Sequence, residues 1–290
     1  MKNDSGQDPE DCSSIKNGNG EIVVIKYGGN AMVDPDIKSS VIEDIYQLKS
    51  KGFKPVVVHG GGPVIEETLD TAGVESKFID GQRKTNTEAM KYVEMALRGN
   101  VNGELVRLLN HRGLRAVGIS GKDGGIARVV KREHFVDTDE GRSKVDLGYV
   151  GDVDKVDTSL ILLLLNNDYI PILAPVCLGD DGKDYNVNAD LFAGHIAGAL
   201  HADRFMLLTN VDGLLADLND VNSLMKHILT KDLDQHIGKT IQGGMIPKVN
   251  SCRVALELGV KKAHIINGTK PHSLIEAILD EQPIGTVISN

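Results

Sequence analysis

The stretch Ile22-Val23-Val24-Ile25-Lys26-Tyr27-Gly28-Gly29-Asn30-Ala31-Met32 decides how the rest of the chain is read. Its run of mostly β-branched residues describes a buried strand, and Gly28-Gly29 breaks it into a tight turn with bare backbone N–H groups. Such a turn lets a phosphate approach the backbone closely, with Lys26 beside it as a point charge. The same residues also describe an ordinary strand with a surface lysine and a two-glycine turn. The remaining chain has to choose between the two.

Working outward, Asp34-Pro35 predicts a capped helix start with Pro at the first helical position. Ile37, Val41, Ile42, Ile45 and Leu48 then share one helical face, and Gly52 ends it. Residues 55–59, Pro-Val-Val-Val-His, form a second buried strand that runs into Gly60-Gly61-Gly62-Pro63 and another helix. Continuous apolar strands alternating with amphipathic helices predict an α/β fold, a mainly parallel central sheet covered by helices on both faces. In such sheets ligands sit at the carboxyl ends of the strands, where both glycine turns fall. Gly60–62 can be a plain strand–helix junction, but three consecutive glycines carry an entropic cost that a plain junction does not require.

Further along, residues 78–85 read as a short polar hairpin holding Arg83 and Lys84, and Thr85-Asn86-Thr87-Glu88 fits a capping box. A single helix is expected from there to about His111. Arg83 is either a solvated surface charge or a fork for a carboxylate. Residues 126–131 and 144–151 are expected to pair as a hairpin around a polar loop, 132–143. Asn186, Asn188 and Asp190 alternate before a helix, so an extended segment presents them on one side, although Asn188 or Asp190 can equally be the helix cap. The strand at 203–209 ends in the polar turn Asn210-Val211-Asp212-Gly213. Gly243-Gly244-Met245-Ile246-Pro247-Lys248 enters another helix, and Lys248 in its first turn opposes the helix dipole, a placement that calls for an anion. No Cys/His or Ser/His/Asp arrangement supports a nucleophile. His195 and His201 fall on different helical faces and are not a metal pair.

The bulk properties narrow the classes. The 290 residues carry 32 Lys+Arg against 41 Asp+Glu, a net charge of −9 that argues against nucleic-acid binding. No apolar run reaches membrane-spanning length. The three cysteines, Cys12, Cys177 and Cys252, are scattered, as expected for reduced thiols in a cytoplasmic protein. Residues 1–20 are too polar to bury a face and are expected to be a disordered leader.

Two lysines beside glycine pairs, one carboxylate and several glycine turns at strand ends suit phosphoryl transfer, in which catalysis is mostly positioning and charge stabilisation. The motifs Ile25–Ala31, Val58–Pro63, Gly81–Thr85, Asn186–Asp190 and Gly243–Lys248, in that order, resemble the amino acid kinase family. The resemblance runs from about residue 21 to 290. It implies the αβα sandwich of that family, with an acceptor lobe over residues 21–180 and an ATP lobe over 181–290. It also implies ATP with Mg²⁺ and, most closely, N-acetyl-L-glutamate as the acceptor of an acyl-phosphate-forming transfer in arginine biosynthesis. N-acetyl-aminoadipate, or a non-catalytic sensor of the same fold, is the alternative.

Residue by residue, the resemblance makes Lys26 and Lys248 the stabilisers of the phosphoryl group in transit and Asp190 their orienter. Gly61, Gly62, Arg83 and Asn186 would hold the acceptor. Gly28 and Gly29 would face the phosphates, with Thr209, Asp212 and Gly213 toward the adenosine. Three departures stand out: Asn210 where the family usually has Asp, the bulky Leu191-Phe192, and a leader without the apolar helix of hexameric members. The last implies a homodimer. Residues 264–268, Glu276 and 284–288 resemble arginine-inhibited members, which makes L-arginine an expected effector.

Overall fold

Alternate side chains of the opening strand, β1 (Ile22–Tyr27), go to opposite faces of a sheet, and the two faces carry different helices. The computed structural model describes residues 18–138, 141–280 and 284–290. Asp34 caps α1 (Pro35–Ser50) by accepting from the N–H groups of Asp36 and Ile37, and Gly52 follows the helix with φ of +85°. β2 (Lys54–His59) leads through the glycine turn into α2 (Gly62–Ala72). The short hairpin β3 (Lys77–Ile79) and β4 (Gln82–Lys84) pairs antiparallel as expected.

A continuous helical stretch follows in three parts: α3 (Thr87–Glu94), a π-helical segment (Met95–Asn102) and α4 (Gly103–His111). The expected capping box at Thr85 is corrected. Asn86 is the cap, accepting from Ala89 N at 2.8 Å, while the Thr85 hydroxyl donates to the Arg83 carbonyl inside the hairpin. The π segment also departs from the single regular helix read from the sequence.

β5 (Ala116–Ser120) is followed by β6 (Ala127–Lys131), β7 (His134–Thr138), β8 (Gly141–Val145) and β9 (Val150–Val156). The expected polar loop at 132–143 is corrected: β7 and β8 pair across it, and the partner of β6 is β9, which overlaps the expected 144–151 only at residues 150–151. The next elements are α5 (Ser159–Asn166), β10 (Ile170–Ala174), β11 (Val176–Gly179) and β12 (Asp184–Val187). Then come α6 (Ala189–Ala199), β13 (Arg204–Thr209), β14 (His227–Leu229) and α7 (Met245–Glu257). β15 (Lys262–Asn267), α8 (Ser273–Leu279) and β16 (Thr286–Ser289) close the chain.

Eight strands form the main sheet in the order β14-β16-β15-β13-β1-β2-β10-β5, parallel at every pairing except β15 with β16. β6, β9, β11 and β12 make a small closed barrel beside it. Val24, Val58, Phe205 and Leu207 meet α5, α6 and α7, whereas Val23, Ile25, Val57, Met206 and Leu208 meet α1, α4 and α8. Three layers follow from this period-2 division. Of the expected leader, residues 1–17 lie outside the described residues. Residues 18–20 form a turn whose Gly18 and Gly20 amides donate to the Lys51 and Gly52 carbonyls. Among the described residues, no helix is long and apolar enough to cross a membrane.

Candidate active site

Period 2 puts Lys26 on the same face as Val24, toward α6 and α7. β1 lies between β2 and β13, with Lys26 in register with Val58 and Leu207, so both flanks are closed by strands. The side chain is left to run along the end of the sheet to α6. There Asn188 is the cap: its Oδ1 accepts from Asp190 N at 2.9 Å and Leu191 N at 3.1 Å. The alternative left open by the sequence is thereby decided, and the Asp190 carboxylate is free for other partners. Lys26 Nζ lies 2.7 Å from Asp190 Oδ1, and Lys248 Nζ donates to Oδ2 at 2.9 Å.

Lys248 arrives there because α7 packs tightly on α6. A Cβ on Gly194 would lie 2.4 Å from the Ser251 carbonyl oxygen of α7, so only glycine permits this approach. Gly194→Ala should therefore cost about 1–3 kcal/mol through overpacking. Thermal unfolding would register that loss, and the activity of the folded fraction should fall too as α7 draws Lys248 away from Asp190.

Burial by itself would push the Asp190 carboxyl up, but the charges of Lys26 and Lys248 outweigh it and hold the group below the usual aspartate range. Two ammonium groups share one carboxylate, so the triad, with Lys26 and Asp190 buried and Lys248 half-buried, keeps one net positive charge. Burial of that excess is costly until an anion arrives.

The two glycine turns converge on this charge. A Cβ on Gly28 would stand 3.2 Å from both Lys26 Nζ and Gly60 N, and Gly60 N donates to the Tyr27 carbonyl at 2.8 Å. Gly29 turns away with φ of +69°. A cleft of about 200 Å³ opens between them, lined by Lys26, Gly29, Gly60, Gly61, Gly62, Asn186 and Asp190 among others. Glycine backbone, Lys26 and the first turn of α6 thus line one small space, with Lys248 held to it through Asp190, an arrangement that suits phosphate-like charge.

The model of the amino acid kinase family matches residues 21–267. This chain belongs to the amino acid kinase family. Acetylglutamate kinase of Thermoanaerobacter pseudethanolicus is 47% identical over 275 residues, covering 94% of this chain and 89% of its own. Acetylglutamate kinase of Methanocaldococcus jannaschii is 45% identical over 272 residues, covering 93% and 91%. Among solved structures, N-acetylglutamate synthase from Neisseria gonorrhoeae, complexed with coenzyme A and N-acetyl-glutamate, superposes with a TM-score of 0.79 at 20% identity. That match covers 94% of this chain and 60% of the Neisseria chain, and it speaks for the fold alone.

Within this amino acid kinase, the structure brings together Lys26, Gly28, Gly29, Gly61, Gly62, Asn186, Asp190 and Lys248. Arg83 is buried at the rim, where Nη2 is 3.4 Å from the Gly62 carbonyl. Its Nη1 is turned to Glu66 at 2.5 Å and to the Ser76 hydroxyl, and the guanidinium stacks on Phe78 at 4.6 Å. Thr209, Asp212 and Gly213 lie outside the lining of this cleft, at and beyond the carboxyl end of β13. Asp212 pairs with Asn267 and Lys270, both at 2.7 Å, and Gly213 (φ of +149°) abuts Thr286.

Three residues near the cleft were not singled out from the sequence: Glu66, His59 and Asn102. His59 stands directly before the three glycines, and that position was its available signal. Asn102 had none, because its partners, His59 and the Ile172 carbonyl, are distant in the chain. Cys177 and Cys252 are buried free thiols whose pKa burial raises, which makes them inert. Among the described residues, no group of three or more His, Cys, Asp or Glu side chains is arranged to hold a metal.

Proposed function

We propose that this protein transfers the γ-phosphoryl group of ATP to the side-chain carboxylate of N-acetyl-L-glutamate. The products are N-acetyl-L-glutamyl 5-phosphate and ADP, the second step of arginine biosynthesis. The observation that carries this reading is the Lys26–Asp190–Lys248 triad, centred on the buried Asp190, with its uncompensated positive charge beside two glycine turns.

The acceptor carboxylate is itself the nucleophile, so no covalent enzyme intermediate is needed. Lys26 and Lys248 stabilise the charge that spreads over the phosphoryl oxygens in flight, and Asp190 holds both ammonium groups in place. Gly28 and Gly29 leave the backbone bare toward the phosphates. Gly61 and Gly62 offer N–H groups to the acceptor, and Asn186 holds its polar end. Arg83 takes the second carboxylate, which replaces Glu66 at the guanidinium fork. Mg²⁺ travels with the nucleotide substrate and neutralises part of its charge. Residues 21–180 serve as the acceptor side and 181–290 as the nucleotide side, with Thr209, Asp212 and Gly213 toward the adenosine. The same reading makes the enzyme a cytoplasmic homodimer, and the resemblance at residues 264–268, Glu276 and 284–288 supports L-arginine as an effector.

The test is ADP release from Mg-ATP with N-acetylglutamate, N-acetyl-aminoadipate, glutamate, aspartate, carbamate or UMP. Turnover with N-acetylglutamate far above the rest is expected. Preference for N-acetyl-aminoadipate would move the assignment by one methylene, and no turnover with any would make the chain a sensor.

A further inference from the structure

His59 and Asn102 are buried together under the glycine turn, and neither has a part in the chemistry above. His59 is fully buried, and Asn102 is 5% exposed on the π-helical segment. The Asn102 Nδ2 group donates to the Ile172 carbonyl at 2.9 Å and lies 3.0 Å from His59 Nε2. An amide N–H₂ has no acceptor capacity, so His59 Nε2 must accept. The ring proton then sits on Nδ1, which donates to the Gly60 carbonyl at 2.8 Å.

The Gly60 carbonyl and the Gly61 N–H are opposite edges of one planar trans peptide. Pulling the carbonyl toward the buried ring points the Gly61 N–H the other way, into the cleft that Gly61 lines. We propose that His59 and Asn102 are positioning residues that lock the Gly60–Gly61 peptide so that the Gly61 N–H is aimed at the acceptor before it binds.

Asn102 lies in the π segment beside Val101, and both are buried there. Leu97 and Val101 press against Gly61, where a Cβ would approach them to 2.8 and 3.1 Å. A Cβ on Gly118 would overlap Asn102 Oδ1 at 1.9 Å, so the bare backbone of β5 is what admits the amide. Burial lowers the His59 pKa to about 4, against a smaller opposing effect of its bond to the Gly60 carbonyl, and so keeps the ring neutral near pH 7.

The inference rests on the kinase reading of the cleft, and its test separates the two. His59→Asn puts an amide where Nδ1 sits and keeps a donor for Gly60. His59→Gln puts the same group where Nε2 sits and loses that bond. Both remove the ring, so a merely structural role predicts equal losses of melting temperature and of activity. The lock predicts that His59→Gln loses roughly 10–100-fold in kcat, more than KM rises, while His59→Asn recovers most of it.

The ¹⁵N spectrum of the wild-type ring should report a neutral imidazole protonated on Nδ1. Equal loss of kcat in both variants, or a ring protonated on Nε2, would overturn the inference. A wild-type protein that turned over no acceptor would instead sink the kinase reading, and the ring spectrum would still decide the lock.

Discussion

Asp190→Asn is expected to lower kcat by roughly 10³-fold and to destabilise the fold by about 3–5 kcal/mol. ADP release at saturating substrates and thermal unfolding would measure the two effects. The asparagine amide is nearly isosteric, so packing survives, but Lys26 and Lys248 lose their shared counter-charge. Lys26 has a side chain only 9% exposed and cannot recover hydration in compensation. Two unpaired ammonium groups at close quarters repel one another and leave the positions that in-line transfer requires. Because the missing charge is negative, Mg-ATP should restore part of the lost stability, and the variant's melting temperature should rise more on adding nucleotide than the wild type's. An unchanged kcat would remove Asp190 from the catalytic account.

Lys248→Ala is expected to behave differently. It leaves Lys26 and Asp190 as a neutral pair, so stability should hardly change. If Lys248 acts on transition-state charge, kcat should still drop by roughly 10²–10³-fold with KM for both substrates nearly constant. Lys248→Arg should not rescue it, since a planar fork cannot replace a compact ammonium at the same point. A raised KM with normal kcat would reassign Lys248 to ground-state binding.

Much of this was legible because local rules and the fold agreed. The β-branched runs before Gly28 and Gly60 became adjacent central strands, and Asp34-Pro35 capped a helix as its chemistry dictates. The alternation of Asn186, Asn188 and Asp190 foretold the approach to the cleft, although only the structure showed that Asn188 takes the capping role and releases Asp190. What escaped the sequence depends on partners distant in the chain. Arg83 reads as a carboxylate fork, but nothing local says that Glu66, on the helix after the glycines, holds it meanwhile. The run at 132–143 shows no sustained alternation of apolar residues, so periodicity could not mark β7 and β8 within it. Asn102 was hidden in the same way as the Arg83–Glu66 pair, because its partners, His59 and the Ile172 carbonyl, lie 43 and 70 residues away in the chain.

The central claim is that a net-positive Lys26–Asp190–Lys248 cluster, built on the buried Asp190, passes a phosphoryl group to a carboxylate. Hydroxylamine trapping during turnover tests this most directly, because it converts an acyl phosphate to a hydroxamate and leaves inorganic phosphate alone. With N-acetylglutamate and Mg-ATP the wild-type protein should yield one hydroxamate for each ADP released, and Lys248→Ala should lose both in step. ADP released without hydroxamate would mean that water is the acceptor and would contradict the account.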